Sequence, residues 1–418
     1  MHMSDKKSRI VPTRRFPQFN TSEAWNEPTL GDLSDRIVDK VGSEKYTTLS
    51  ISAGVGFVSQ TEKFDRDISG DQYRNYIHVK KGDFSYNKGN SKKFPQGCVY
   101  ELNEYEEAAV PNAFISFRFH DDVVSGFYKG YFEGNFHGRQ LSKHITSGAR
   151  SNGLLNINAD DFFSILLPTP KDIREQQMIA DCVESLGDII CAEHKKLEAL
   201  QKHKEGLMQT LFPTEDKKLP ALRFKEFCDT DIEFKNGSEV FVPINNKNHQ
   251  CDLPVLAISQ EHGAIPREKI DYNVFVTDKS LVSYKVVEIG DFIISLRSFQ
   301  GGIEYSIYRG ICSPAYIILR KKINIVDQYF KYYFKTKKFI RDLNKNLEGI
   351  RDGKMVSYNQ FAELWFPLPD LIEQKKIADC LNSMDELIFA QTAKIEALQK
   401  HKKGLIQQLF PSYEEVFK

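Results

Sequence analysis

The chain has 418 residues, of which 41% are hydrophobic and 27% charged, with 57 basic and 57 acidic side chains. That length exceeds a single core and predicts two or more domains, and the composition is that of a soluble globular protein rather than a disordered or membrane-embedded one. Zero net charge excludes the strongly basic total that announces a nucleic-acid binder, while leaving room for a local basic face.

The polar start MHMSDKKSRIVPTRRF has no signal-peptide apolar region, and no apolar run is long enough to span a membrane. The seven cysteines are odd in number, scattered and without a Cys-x-x-Cys pair. They read as reduced thiols of a cytoplasmic protein, not as a disulfide framework or a zinc site. Residues 1–19 form a lead that ends in Pro12-x-x-Arg15-Phe16-x-x-Phe19. The same pattern returns as Pro220-x-x-Arg223-Phe224-x-x-Phe227. Residues 20–170 read as a first mixed module, with strands expected at Thr47–Ser52, Tyr76–Val79, Asp83–Tyr86 and Ala113–Phe119.

Residues 171–213 carry a long amphipathic helix. Its apolar positions are Ile179, Val183, Leu186, Ile190, Leu197, Leu200, Leu207 and Leu211. The steps of three and four make a heptad seam, broken by polar Glu193 and Lys204. A capping box, Asp172-x-x-Glu175, opens it and Pro213 closes it. The joining segment and second module occupy 214–369, with strands expected at Val255–Ser259, Lys285–Glu288, Phe292–Leu296 and Tyr316–Leu319.

Residues 370–411 then repeat the long helix, with a tail at 412–418. About 24 of the 42 positions from Asp370 to Pro411 are identical to those from Asp172 to Pro213. The second seam is Ile377, Leu381, Met384, Ile388, Ile395, Leu398, Leu405 and Leu409, broken at Gln391 and Lys402, after a second box at Asp370-x-x-Glu373. Each helix of roughly 38 residues would be about 57 Å long. Two copies can bury each other's stripe as an antiparallel pair. Gly206 and Gly404, repeated inside the helices, suggest either close approach of another backbone or a frayed last turn.

The modules match weakly. Gly82-Asp83-Phe84 answers to Gly290-Asp291-Phe292, read as a turn entering a strand with the phenylalanine in the core. Gly148-Ala-Arg150-Ser-Asn152-Gly153 answers to Gly349-Ile-Arg351-Asp-Gly353. These glycine-flanked arginines suit close approach to DNA, or a tight turn whose arginine pairs inside the domain. A shared scaffold with divergent surfaces is what two different recognition tasks need.

Motifs for chemistry are lacking in the sequence. It holds no GxxxxGK[ST] phosphate loop, and Gly54-Val55-Gly56 reads as a turn rather than a cofactor cradle. No Asn-Pro-Pro-Tyr or Asp-Pro-Pro-Tyr stretch, histidine pair with ligand spacing, or nucleophile motif is present. The basic clusters are better candidates for contact with phosphate. In the first module they are Lys80, Lys81, Lys88, Lys92, Lys93, Arg139, Lys143 and Arg150, with Asn152 beside the last. In the second they are Arg297, Lys335, Lys337, Lys338, Arg351 and Lys354. For any single lysine a solvated face is an equal alternative.

Several stretches carry a resemblance over almost the whole chain. They are LPTPKDIREQQMIADC and FPLPDLIEQKKIADC, the helix ends ALQKHKEGLMQTLFP and ALQKHKKGLIQQLFP, and the opening Trp25-x-x-x-Thr29-Leu30-Gly31-Asp32-Leu33. Duplicated at this spacing, they resemble the specificity subunit of a type I restriction-modification system. The second module departs from the pattern in lacking a clear Trp-x-x-x-x-Leu-Gly-Asp start.

The resemblance implies an α+β chain, a pseudo-twofold tandem repeat of two target-recognition domains separated by an antiparallel coiled coil. Each domain would read half of a bipartite double-stranded DNA target. The helices would set the gap and dock two modification subunits. It implies a non-catalytic, cytoplasmic DNA-binding chain in phage defence, with no cofactor of its own. S-adenosylmethionine would sit on the methyltransferase partners, and ATP and Mg2+ on the motor-nuclease restriction subunits. Two rival readings are a self-contained DNA-modifying or cleaving enzyme and a coiled-coil scaffold that binds no DNA.

Overall fold

A computed structural model describes residues 10–89, 94–145, 155–214, 217–250, 252–260, 263–270, 281–345 and 356–411. The chain forms two compact units, one of residues 1–194 with 394–418 and one of residues 195–393. Both boundaries fall inside the long helices.

The first unit is built on a four-stranded antiparallel sheet, in the order Ser34–Arg36, Ile115–Phe119, Phe84–Asn87, Cys98–Glu101. Alternation along these strands sends Phe84, Tyr86, Val99, Ile115, Phe117 and Phe119 into the main core. The helix Ser125–Glu133 adds Phe127, Tyr128, Tyr131 and Phe132 to that core. A hairpin (Leu49–Ser52 with Gly56–Ser59) and a second pair (Ile77–Lys80 with Glu107–Val110) enclose a smaller core around Leu49, Ile51, Val79 and Val110. Ile179 and Val183 of the first long helix and Ile406, Leu409 and Phe410 at the end of the second complete the main core. Phe410 meets Phe127 at 4.9 Å and Trp25 edge-on at 6.4 Å.

The second unit repeats the plan. Its sheet runs Phe241–Ile244, Ile317–Lys321, Phe292–Ile294, Glu304–Tyr305. A hairpin (Leu256–Ser259 with Gly263–Pro266) and a pair (Lys285–Val287 with Gly310–Cys312) stand in the same relation to it. Here Leu211 and Phe212, just past the first long helix, and Ile377 and Leu381 of the second join the core. One added ladder, Glu233–Asn236 with Trp365–Leu368, replaces the isolated bridges Asn26–Thr169 and Thr29–Leu166 of the first unit.

This ladder leads into the start of the second module that the sequence hid. Asn236 and Glu239 form a reciprocal capping box on the short helix Gly237–Val240, as Thr29 and Asp32 do on Leu30–Leu33. The residues differ, but the cap chemistry is the same.

The long helices run from Ile173 to Thr210 and from Leu371 to Leu409. Within the first unit, Glu193 pairs with Lys394 at 2.5 Å, and Lys402 Nζ lies beside Gly187. Residue numbers rise along one helix as they fall along the other, so the helices are antiparallel there. Ile179, Val183 and Ile395 are buried, while Leu186, Ile190, Leu398 and Leu405 are half-buried. Within the second unit Lys204 meets Asp385 at 2.5 Å. Ile377, Leu381 and Met384 are buried there, with Ile388, Leu197, Leu200 and Leu207 half-buried. Three polar breaks in the seam thus find charged partners: Glu193 and Lys204 across the pair, and Lys402 at Glu133 of the first module.

The expected capping boxes are only half formed. Asp172 and Asp370 do cap, accepting the N–H groups of Arg174 at 2.9 Å and Ile372 at 2.7 Å. Glu175 and Glu373 do not reach back to the helix start. Glu175 accepts Arg15 Nε at 2.7 Å and Nη2 at 2.5 Å, and Glu373 accepts Arg223 at 2.8 and 2.7 Å. A forked guanidinium offers a buried carboxylate two charge-assisted bonds, a better partner than one backbone N–H. This explains the repeated Pro-x-x-Arg-Phe-x-x-Phe segments, whose arginines tie each lead to a helix start.

No Cβ built on Gly206 or Gly404 meets anything within 4 Å. Close approach by this chain's own backbone, one of the readings offered for these glycines, is therefore absent among the described residues. Among the described residues, no helix is long and apolar enough to cross a membrane.

Candidate nucleic-acid interface

Each module is braced by one clamp. Gly82 and Gly290 turn the chain at φ +88° and +95°, a conformation glycine takes at little cost. The next residue, Asp83 or Asp291, is buried. Asp83 accepts the Lys80 N–H at 2.6 Å and Arg118 Nε and Nη2 at 2.6 and 2.8 Å. Asp291 accepts the Glu288 N–H at 2.8 Å and both Arg320 donors at 2.7 Å. The hydrogen bond to Asp83 lifts the Arg118 pKa above its ordinary value, and Asp291 does the same for Arg320. Phe84 and Phe292 enter the cores, as expected for a turn feeding a strand. Sequence reasoning missed Arg118 and Arg320, although each sits opposite its Gly-Asp-Phe turn in the register of the sheet.

Several of the predicted basic contacts are occupied within the fold. Lys80 lies 3.6 Å from Glu107, and Lys81 2.7 Å from Glu106. Lys88 donates to the Ile157 carbonyl at 3.4 Å. Lys338 pairs with Asp342 at 2.5 Å. Lys335 is the clearest departure from a solvent-facing cation. It donates to Glu304 at 2.5 Å and to the Gly301 carbonyl at 3.0 Å. Burial raises the Glu304 carboxyl above its ordinary value, against the pull of Lys335. Lys92, Lys93, Arg150, Asn152, Arg351 and Lys354 lie outside the described residues, and so do the two glycine-flanked arginine segments.

Arg139, Lys143, Arg297 and Lys337 remain on the exposed surface. Two of them fall in crevices that recur in both units. In the first, Arg139 on the helix Phe136–Leu141 faces Lys402 and Lys403 near the end of the second long helix. In the second, Lys337 and Arg341 on the helix Lys337–Lys345 face Met208 and Phe212 at the end of the first. The crevices measure about 600 and 470 Å³. Of these cations Lys402 is paired with Glu133, whereas Arg139, Lys403, Lys337 and Arg341 are exposed and can hold an anionic backbone without reading bases. Exposed apolar side chains such as Val55, Ile289 and Ile307 were also missed. An isolated apolar residue in a turn carries no periodic signal.

Among the described residues, no group of three or more His, Cys, Asp or Glu side chains could hold a metal ion. Gly54 lies in the tight turn of a hairpin and Gly56 opens its second strand, at φ +87° and +113°.

Comparison with known proteins defines the class. The type I restriction modification DNA specificity domain matches residues 230–400. A putative type I restriction enzyme specificity subunit of Methanocaldococcus jannaschii (MjaX) is 25% identical over 298 residues, 68% of this chain and 67% of that protein. The MjaVIII specificity subunit of the same organism is 26% identical over 282 residues, 63% of this chain and 66% of that one. The matched stretch thus spans about two thirds of each relative. The fold is similar to the type I restriction-modification S subunit of M. genitalium, with TM-score 0.54 at 15% identity over 96% of this chain and 100% of that one. It also resembles a chain from a study of assembly and conformational transition of the type I system, with TM-score 0.54 at 17% identity over 93% and 97%. The class is that of the two-module specificity-subunit fold. Residues 230–400 belong to the type I DNA specificity domain family, and the chain as a whole is similar to type I specificity subunits.

Proposed function

We propose that the chain reads a bipartite DNA target, each module recognising one half, with the helix pair setting the gap and docking two methyltransferase subunits. It is the non-catalytic subunit of the complex. S-adenosylmethionine belongs on the methyltransferase partners, and ATP and Mg2+ on the restriction subunits. The observation that carries this reading is the duplication. Two modules share clamp, sheet and helix dock while differing in surface residues, and one of them matches the DNA specificity domain over 230–400. Arg139, Lys143, Arg297 and Lys337 are proposed phosphate contacts, together with Lys92, Lys93, Arg150, Arg351 and Lys354, and Asn152 is a proposed base contact. Lys80, Lys81, Lys88, Lys335 and Lys338 would have to leave internal partners to serve.

A binding titration across a salt series tests this with modification partners present. The reading expects log affinity to fall linearly with log salt, and Lys337→Ala to lower the slope by about one. Binding that is independent of salt contradicts it. With labelled S-adenosylmethionine and DNA the chain alone should be inert, and robust methyl transfer would overturn the non-catalytic role.

A further inference from the structure

The two units serve as controls for each other, and at one corner they differ in kind. Residues 118–137 align without a gap on 320–339, keeping the clamp arginine (Arg118, Arg320), Lys129 with Lys331, Tyr131 with Tyr333 and Phe132 with Phe334. In the second unit this corner is closed. Phe339 is packed in the core, and Lys335 reaches across to Glu304 and the Gly301 carbonyl. In the first unit the same three positions hold His137, Glu133 and Tyr100. The corner is a cavity of about 420 Å³.

Aromatic rings of Phe57, Phe94, Tyr100 and Phe132 line it. His137 is 1% exposed, and neither of its ring nitrogens has a hydrogen-bond partner. Burial keeps the imidazole neutral, so it presents one donor and one acceptor. Asn135 Oδ1 is likewise buried without a partner. The Tyr100 hydroxyl accepts the Gly54 N–H at 2.7 Å, which leaves its own proton to give. Leaving polar atoms buried and unpaired costs free energy, and the sister unit avoids that cost with phenylalanine at the same place. The charged groups lining the cavity are Glu101, Glu104 and Glu133 against Lys129, with Lys402 paired to Glu133 from beside it, so the balance stays negative and anions are disfavoured.

We propose that this cavity of the first module binds an uncharged, nucleobase-sized nitrogen heterocycle, stacked among the rings and hydrogen-bonded to His137 and Asn135. The volume lies within the range of small-molecule pockets, which combine an apolar lining with few convergent polar groups. The cavity adjoins the Arg139 crevice, sharing Phe94, Glu133 and Asn135 with it, but the ligand proposed here does not depend on the DNA-contact reading.

The test is calorimetric titration and saturation-transfer NMR of the full chain with adenine, adenosine and adenosine monophosphate. Adenine or adenosine should bind, and the monophosphate at least tenfold more weakly. His137→Phe, which restores the sister unit's residue, should remove binding at least tenfold while keeping the folded circular-dichroism spectrum. Asn135→Ala and Tyr100→Phe give the same readout should that variant misfold. The proposal is overturned if no compound binds at millimolar concentration, if the monophosphate binds as tightly as the nucleoside, or if the variants bind like the parent.

Discussion

Arg15 and Glu175 are 160 residues apart in sequence and nearly solvent-free in the structure, with side chains 7% and 1% exposed. The pair Arg223–Glu373 has 6% and 1%. Removing one partner of such a pair leaves a charge buried and uncompensated. Arg15→Ala should therefore cost about 3–5 kcal/mol in urea unfolding, and Arg15→Met with Glu175→Leu much less. Equal losses from the single and double changes would show that the charges do not act as a pair. His137 gives a second check. Burial lowers its pKa from 6.5 to about 3, so the folded state keeps it neutral while the unfolded chain protonates it. Its contribution is complete above about pH 6.5 and falls as the pH drops toward 3, by about 3 kcal/mol at pH 4. His137→Phe should flatten that part of the acid limb, and an unchanged slope would count against the assignment. The arginine–phenylalanine repeat was visible in sequence, but its partner was not, because spacing along the chain says nothing of a 160-residue contact. Lys335 shows the same limit, since a lysine code is identical whether it faces water or Glu304.

At the scale of elements, the long helices were legible from their three-and-four steps and their stops. Strands such as Phe84–Asn87 and Phe292–Ile294 were legible where β-rich runs meet a Gly-Asp turn. The strands Gly56–Ser59, Cys98–Glu101 and Glu107–Val110 were not. They are four residues long and mix polar with apolar side chains, so pairing partners decide them rather than local pattern. The start of the second module was hidden because Asn236 and Glu239 cap as Thr29 and Asp32 do with different letters. Gly206 and Gly404 stand in open space. Replacing both by alanine should stabilise the isolated chain by up to about 1 kcal/mol each, read as a higher unfolding midpoint. A lower midpoint would mean that these glycines serve the fold itself.

On the scale of the molecule, the repeat is the observation that supports the proposed reading of a two-part target. Deleting one heptad from each long helix shortens each by about 10 Å, or about three base pairs at 3.4 Å per step. The proposed gap between half-sites should shrink accordingly. The most direct test of the central claim is the methylated motif in a host carrying this chain with its modification partner, before and after residues 20–170 are exchanged for another first module. The account predicts one split motif, in which the exchange rewrites one half and leaves the other half and the gap unchanged. A continuous motif, or an exchange that alters both halves or neither, would contradict it.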